Sequence, residues 1–343
     1  MLHWLHQDRF PLYLAPMAGV TDMVFRALCK ELGADVMVTE FVSAEGILQR
    51  DDRTRHYTEF DDAQHPIGVQ LFGADGVRMG EAARKIIDWK QPDFIDINFG
   101  CPVNKVVSKN GGSSLLKNCP LLTEVAREVA KAVSIPVTAK MRIGWDAQSI
   151  NAVEVAKLLE DSGIQAITVH GRTRAQGYSG LADWEVIAQV ADAVKIPVIG
   201  NGDITSGTDV EVRRAQTNVR GIMIGRAAMS NPWVFQESRH YLNTGTHAAP
   251  ATIDQRFALM RRHCEMAISR STRGGEFEVM RSMRTRLMNY TRCIPGGKYL
   301  RGKFSHIASL MELDDILADY HAQRELLISQ QAADDEVIVA STE

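Results

Sequence analysis

What the chain lacks narrows its class first. Its 343 residues contain no apolar run of about 18, so no helical membrane span is expected. The opening stretch Met1-Leu-His-Trp-Leu-His-Gln-Asp8 has neither the basic nor the apolar region of a secretory leader, and a cytoplasmic protein is expected. Cysteine is scarce: Cys29, Cys101, Cys119, Cys264 and Cys293 are odd in number, scattered and without CxxC spacing. That argues against a disulfide framework and a zinc site, and no metal is expected. No single Gly-rich phosphate loop follows the first apolar run, as a doubly wound dinucleotide-binding sheet would show. Neither sign of charge dominates, with 39 Lys and Arg against 42 Asp and Glu, so any charged partner must be sought in where the charge lies.

What is present is a regular alternation. Short apolar runs at Leu12–Ala15, Val36–Thr39, Ile67–Leu71, Phe94–Asn98, Pro136–Met141, Ala166–His170, Pro197–Gly200 and Gly221–Ile224 read as buried strands. Between them, Val24–Leu32, Gly76–Trp89, Leu121–Val133, Ala152–Asp161 and Trp184–Val194 carry three/four apolar spacing and read as helices. Eight such units within about 240 residues match an α/β fold of the (β/α)8 TIM-barrel type. The pattern breaks at Gly245-Thr-His-Ala-Ala-Pro250, and only amphipathic helical segments follow. The expected organisation is a catalytic barrel over 1–245, a smaller helical domain over 250–330 and an acidic, disordered tail over 331–343. Between Arg256 and Lys303 twelve Arg and Lys face three acids, a local excess that the net charge of −3 conceals.

Polar motifs sit where the strands end, on the side where barrel enzymes place their chemistry. The fourth strand runs into Asn98-Phe-Gly-Cys101-Pro102-Val-Asn104-Lys105-Val106, then Asn110-Gly111-Gly112. That puts the Cys101 thiol at the strand exit, although taken alone Cys101 is more readily a small buried apolar residue. The first strand ends Ala15-Pro16-Met17-Ala18-Gly19-Val20-Thr21-Asp22, where Gly19 permits close backbone approach and Thr21 or Asp22 can cap a helix; a plain turn explains the same residues. Gln70 lies inside an apolar strand and needs a partner with donors and acceptors, either a planar heterocycle or neighbouring backbone. Lys140 and Arg142 occupy the fifth strand, where a buried cation requires an anion or electron-rich ring, or else a structural ion pair. His170 closes the sixth strand beside the expected site. Gly200-Asn201-Gly202-Asp203 and Gly225-Arg226 follow the seventh and eighth, the usual place for a phosphate held by loop amides and an Arg.

With these motifs assembled in order, the chain resembles the tRNA-dihydrouridine synthases, flavin-dependent reductases of uridine in tRNA, in the style of the bacterial B-type branch. The resemblance covers the whole barrel through Ala15–Asp22, Asn98–Pro102, Lys140-Met141-Arg142, His170-Gly171-Arg172-Thr173, Asn201-Gly202-Asp203 and Gly225-Arg226. It implies FMN as cofactor, with Pro16, Met17 and Ala18 along its ring and Gln70, Lys140 and His170 at its polar edge. Asn201, Gly202, Asp203, Gly225 and Arg226 would hold the ribityl chain and phosphate. NADPH, or NAD(P)H more generally, would be the reductant. Flavin N5 would deliver hydride to uracil C6, Cys101 would protonate C5, and Asn98 would bond the uracil edge.

The resemblance also gives the basic helical domain a purpose, because a stacked base must be drawn out of a folded RNA and its phosphates gripped. Arg142, Arg281, Arg284, Arg286, Arg292, Lys298 and Arg301 are the expected substrate or tRNA contacts, although an arbitrary charge run is more often a solvated helix face. A monomer is expected. Two positions depart from the family's usual form: Ser113-Ser114 stands where Gly or Ala is expected, and Thr285 where a basic residue is common. The nearest alternative is an FMN barrel acting on a free pyrimidine, similar to dihydroorotate dehydrogenase, which would have no use for the basic surface. A second alternative, an RNA-binding scaffold, does not need Cys101, Lys140 and His170.

Overall fold

The computed structural model describes residues 2–5, 9–49, 52–103, 111–272 and 274–340. The chain divides into two compact units, one formed by Met1–Gly225 with Val234–Ala248, the other by Arg226–Trp233 with Ala249–Glu343. The first unit is built on strands β1 (Leu12–Leu14), β2 (Met37–Val38), β3 (Val42–Ser43), β4 (Ile67–Phe72), β5 (Phe94–Phe99), β6 (Val137–Arg142), β7 (Ala166–His170), β8 (Val198–Asn201) and β9 (Gly221–Ile224). All pairings are parallel, in the order β1-β9-β8-β7-β6-β5-β4-β2, with β3 also on β4. A parallel Tyr13–Val36 bridge brings β1 beside the start of β2, giving a nearly closed eight-position barrel. The expected TIM-like architecture is the one observed.

β2 and β3 share one barrel position. Met37 and Val38 pair with Ile67 and Gly68, whereas Val42 and Ser43 pair with Leu71 and Phe72. Three residues, Thr39–Phe41, therefore face two on β4, which is a bulge. The Thr39 hydroxyl takes over the interrupted ladder by accepting the Gln70 N–H at 3.2 Å, and Glu40 reaches the first strand-end loop to accept the Gly19 N–H at 2.7 Å. Short apolar strands buried on both faces are stable here because helices cover the outside. Those helices are α1 (Met23–Glu31), α2 (Gly76–Lys90), α3 (Cys119–Ala132), α4 (Ala152–Asp161), α5 (Trp184–Ala193), α6 (Gly207–Gln216) and α7 (Val234–Thr244). Side-chain caps start several of them: Asp22 accepts from Phe25 N at 2.9 Å, Asp75 from Arg78 N at 3.0 Å and Asp183 from Val186 N at 3.0 Å. Thr21, the other candidate cap, instead accepts the Met17 N–H at 2.9 Å and folds the first loop back on itself.

The N-terminal end of the barrel is plugged from within. Leu2, Trp4, Tyr13, Val36, Val38, Phe94, Ala166, Ile199 and Met223 form one buried cluster. The Trp4 indole N–H donates to the Tyr13 hydroxyl at 2.8 Å, and its ring centroid lies 5.2 Å from that of Phe94. Gly68 makes room for this packing, since a Cβ there would fall 2.1 Å from a Phe94 ring carbon. Nothing in the sequence periodicity marked Leu2 or Trp4 as core, because three-residue apolar turns carry no usable period.

The second unit consists of a short helix Arg226–Ser230 and α8 (Ile253–Ser269), α9 (Glu276–Tyr290), α10 (Gly297–Phe304) and α11 (Leu310–Ala340). Its core gathers Phe257, Met260, Cys264, Met280, Met283, Leu287, Leu300, Phe304, Leu313, Leu317 and Tyr320. The Tyr320 hydroxyl donates to the Pro295 carbonyl at 2.5 Å. The last three residues, 341–343, and residues 104–110, which include Asn104, Lys105, Val106 and Asn110 of the sequence motif, lie outside the described residues. Among the described residues no helix is long and apolar enough to cross a membrane, and no group of His, Cys, Asp and Glu could hold a metal ion.

The barrel plug generates a stability test. Trp4→Ala should cost ~3–5 kcal/mol, the range for emptying a large aromatic site, read as a lower urea midpoint by far-ultraviolet circular dichroism. A loss below ~1 kcal/mol would show that the N-terminal turn is not part of the folded core.

Candidate active site

The parallel register carries alternate side chains of β4 to β8 into the barrel and stacks the polar ones toward one end. Gln70 lies opposite Asp96, Asp96 opposite Thr138, and Asn98 opposite Lys140. Higher still, Arg142 is opposite His170 and His170 opposite Asn201. The apolar plug fills the other end, so the polar rows belong to the C-terminal mouth, where barrel enzymes work. Gln70 is fully buried and Asn98, Cys101, Arg142, His170 and Asn201 are each under a tenth exposed.

Within this mouth the side chains are largely committed to one another. Gln70 Nε2 donates to Asp96 Oδ2 at 2.6 Å and Gln70 Oε1 accepts from Asn98 Nδ2 at 2.8 Å. Asn98 Oδ1 accepts from the backbone N–H groups of Gly100 and Cys101 at 2.9 and 2.8 Å. The Cys101 carbonyl in turn accepts from Ser113, from its hydroxyl at 2.9 Å and its N–H at 3.2 Å. Ser113, one of the two departures noted in the sequence, thus anchors the Cys101 turn through a hydroxyl that Gly or Ala could not supply. The other, Thr285, is exposed on α9.

Lys140 Nζ lies 3.3 Å from Asn201 Oδ1, and Asn201 Nδ2 donates to the Met223 carbonyl at 2.8 Å. Burial, followed by repulsion from Arg142, pushes the Lys140 ammonium down to about 8, against the pull of Asp96. Asp96 is raised by burial, opposed by its bonds from Thr138 and Gln70 and by Lys140. Burial likewise raises the Cys101 thiol, opposed by the Val103 backbone and the charges of Arg142 and Lys140.

Arg142 was expected to meet substrate. Its Nε donates to the Gly100 carbonyl at 3.0 Å and its Nη1 to the Thr173 and Gly177 carbonyls, both at 2.8 Å. It therefore braces the Cys101 turn against the β7 loop, with its guanidinium 5.7 Å from the Tyr178 ring centre. Arg172, which the sequence motif contained but to which no role was attached, is 2% exposed and pairs with Asp203 at 2.8 Å. Asp203 also accepts the Ala182 N–H at 2.7 Å, so its carboxylate ties the β7 and β8 loops together.

Gly202 has φ +136°, in the region that favours glycine, and its carbonyl accepts the Trp184 indole N–H at 3.0 Å. Gly225 ends the first unit beside β1: a Cβ there would lie 3.5 Å from Ala15 Cβ and 3.6 Å from Met17 Sδ. Pro16, Met17 and Ala18 form the turn that follows β1, and Arg226 opens the next short helix in the second unit. Asp96, Thr138 and Glu40 were missed in the sequence, and Ser113 was noted without a role; an Asp within the apolar run Phe94-Ile-Asp-Ile was the one signal that could have been used.

Comparison with known proteins decides the family. Residues 13–327 match the family described as dihydrouridine synthase. The chain belongs to the dihydrouridine synthase family. It is 42% identical over 296 residues to tRNA-dihydrouridine synthase B of Pseudomonas aeruginosa, covering 86% of this chain and 88% of the relative. A probable tRNA-dihydrouridine synthase of Rickettsia bellii is 37% identical over 312 residues, 90% of this chain and 94% of that protein. The dihydrouridine synthases are oxidoreductases and generally depend on a flavin.

The raised thiol gives this dihydrouridine synthase a pH signature. Cys101 should stay protonated through neutral pH, and its alkylation by iodoacetamide should climb about tenfold per pH unit up to and beyond the ordinary thiol value of 9.0. Peptide mass spectrometry across pH 6 to 10, as a rough working range, reads this directly. A rate already level below neutrality would mean a stabilised thiolate, unsuited to giving up a proton.

Proposed function

We propose that the chain reduces uridine in tRNA to 5,6-dihydrouridine, with FMN held in the barrel mouth, NADPH or NADH as reductant and Cys101 as the acid. The observation that supports this most is the buried convergence of Cys101, Asn98, Gln70 and Lys140 at one end of a barrel that is closed at the other. The donor set suits a flavin: Gln70 and Asn201 offer both donors and acceptors, and Lys140 offers a positive charge. At Gly225 an added Cβ would make only ordinary contacts, 3.5 Å from Ala15 Cβ and 3.6 Å from Met17 Sδ, whereas the space over Gly202 is filled by Ala182. A phosphate can therefore approach the backbone at Gly225.

When bound, FMN supplies hydride at its N5 for uracil C6. The remaining tasks fall to the chain. Lys140 stays largely cationic at neutral pH, since it titrates at about 8, and its charge favours electron-rich partners in the mouth. His170 and Gln70 border the ring's polar edge, with Pro16, Met17 and Ala18 along its face. Asn201, Gly202, Asp203, Gly225 and Arg226 serve the ribityl chain and phosphate. Asn98 spends one of its two Nδ2 hydrogens on Gln70 and directs the other at the uracil edge. The Cys101 Sγ–H, kept protonated by burial, gives its proton to C5 on the face opposite the hydride.

The basic segment of the second unit supports a polyanionic substrate. Arg281, Arg292 and Lys298 are exposed. Arg284 and Arg301 also work within the fold, Arg284 on the Ile307 and His306 carbonyls at 2.9 and 2.8 Å and Arg301 on Thr291 Oγ1 at 3.3 Å. Arg286 lies 3.9 Å from Met283 Sδ. By their exposure Arg281, Arg292 and Lys298 are the first residues to assign to tRNA phosphates, and a tRNA substrate implies a cytoplasmic enzyme. The expected solution state is a monomer, which light scattering reads.

Two tests follow. Anaerobic protein bleached by NADPH should regain its flavin colour on addition of unmodified tRNA and not of free uridine or orotate. In this assay Cys101→Ala should keep its flavin but reoxidise about 10²–10⁴-fold more slowly, the usual range for losing a general acid. Unchanged reoxidation removes Cys101 from the chemistry, and reoxidation by orotate moves the substrate to a free pyrimidine. Separately, Arg281→Glu with Arg292→Glu should weaken tRNA binding at least about tenfold and flatten its salt dependence, leaving NADPH oxidation as it was. Equal affinity at every salt concentration would put the RNA elsewhere.

A further inference from the structure

Below the mouth lies a carboxylate that the proposed chemistry does not use. Asp96 is 3% exposed, and its two oxygens accept from Gln70 Nε2 at 2.6 Å and Thr138 Oγ1 at 2.5 Å. From Gln70 the bonds continue through Asn98 to the N–H groups of Gly100 and Cys101. The two ends of this chain of bonds fix its direction. Backbone N–H groups can only donate, so Asn98 must turn its oxygen to them and its NH2 to Gln70. Gln70 must then offer its oxygen to Asn98 and its NH2 to residue 96, which has to accept. A carboxylate meets that demand in either orientation of its oxygens.

We propose that Asp96 is a positioning residue, the terminal acceptor that locks the amides of Gln70 and Asn98 in one orientation and through them aims the Cys101 thiol. The far side of the Cys101 peptide is held independently, by Ser113 on its carbonyl. The relay supplies the remaining restraint, on the N–H. Without an acceptor at position 96 the Gln70 amide is free to turn over, which sets its NH2 against that of Asn98. Asn98 then has to let go of Gly100 and Cys101 or leave donors facing donors in a buried site. Burial of the whole relay makes the outcome all-or-none, because no water competes for the mispaired groups.

The inference rests on the reading of Cys101 as the acid, yet it can be tested without turnover. The measured quantity is the alkylation rate of Cys101 by iodoacetamide, followed on its peptide by mass spectrometry, in the full-length protein as purified with its flavin. Asp96→Ala should raise that rate at least about tenfold, as expected when one buried bond no longer restrains the turn. Asn98→Ala should do the same, and the double variant should be no faster than the faster single one. Asp96→Asn should stay within about threefold of the parent, because its amide oxygen still accepts from Gln70 while its NH2 faces Thr138.

A parental rate in Asp96→Ala, additive increases in the double variant, or an Asp96→Asn rate equal to that of Asp96→Ala would each overturn the proposal. Should Asp96→Ala not fold, Gln70→Met interrupts the same relay without touching the carboxylate: a rate raised about tenfold supports the proposal, and a parental rate overturns it. If Cys101→Ala retained full turnover while the alkylation pattern held, the acid assignment would fail and the relay would stand.

Discussion

The site depends on one carboxamide oxygen accepting two successive backbone N–H groups. Asn98 Oδ1 takes the N–H of Gly100 and of Cys101, and so ends β5 by folding the chain over the barrel mouth. A strand leaving a barrel needs some group to satisfy the donors its ladder no longer pairs. Here the group is a side chain of the strand itself, two and three residues back. The turn is therefore local and its position is set by the register of β5 against β6, where Asn98 faces Lys140. The thiol, the lysine and the amide that would meet a substrate arrive together because they hang from adjacent, parallel, tightly registered strands.

Charge is handled in the same economical way. Three Arg and Lys side chains, Lys140, Arg142 and Arg172, line a mouth whose walls exclude water, and bare cations there would be costly. Arg142 and Arg172 direct several of their donors to carbonyl oxygens of loops: Gly100, Thr173 and Gly177 for the one, Ser179 and Gly180 for the other. All but the Gly100 carbonyl belong to the loop after β7, where Gly177 and Gly180 have positive φ. Lys140 has the Asn201 oxygen at 3.3 Å, and burial, followed by repulsion from Arg142, depresses its ammonium.

Most of the barrel was legible because buried parallel strands read as apolar β-branched runs, and all eight expected runs carry a strand, β3 alone lying outside them. The motifs at their ends were legible for the same reason: Asn98, Lys140, His170 and Asn201 interrupt apolar runs and cannot be core filler. What stayed hidden depends on side chains meeting across long separations in sequence. The β2–β3 bulge exists because Thr39 can replace a ladder bond to Gln70, 31 residues on. The Trp4 plug depends on Gly68 yielding space to Phe94. The three carbonyls that Arg142 bonds lie 42, 31 and 35 residues away along the chain, a pairing that no local pattern carries.

The basic second unit shows the limit of counting charges. Twelve Arg and Lys against three acids between Arg256 and Lys303 is a strong sequence signal. The structure divides that set by what each side chain already holds. Arg284 secures the chain after α10, Arg261 pairs with Glu265 and with Asp314 at 2.8 Å, and Arg256 lies 5.5 Å from the Trp233 ring centre. Arg261 has its charge matched by acids, one of them on α11 beyond the segment where the excess was counted. Hydrogen bonds to carbonyls, by contrast, leave the charge in place, so Arg284 both stabilises the unit and adds to its field. The basic character of the unit thus arises from exposed side chains together with ones that also hold the fold, such as Arg284.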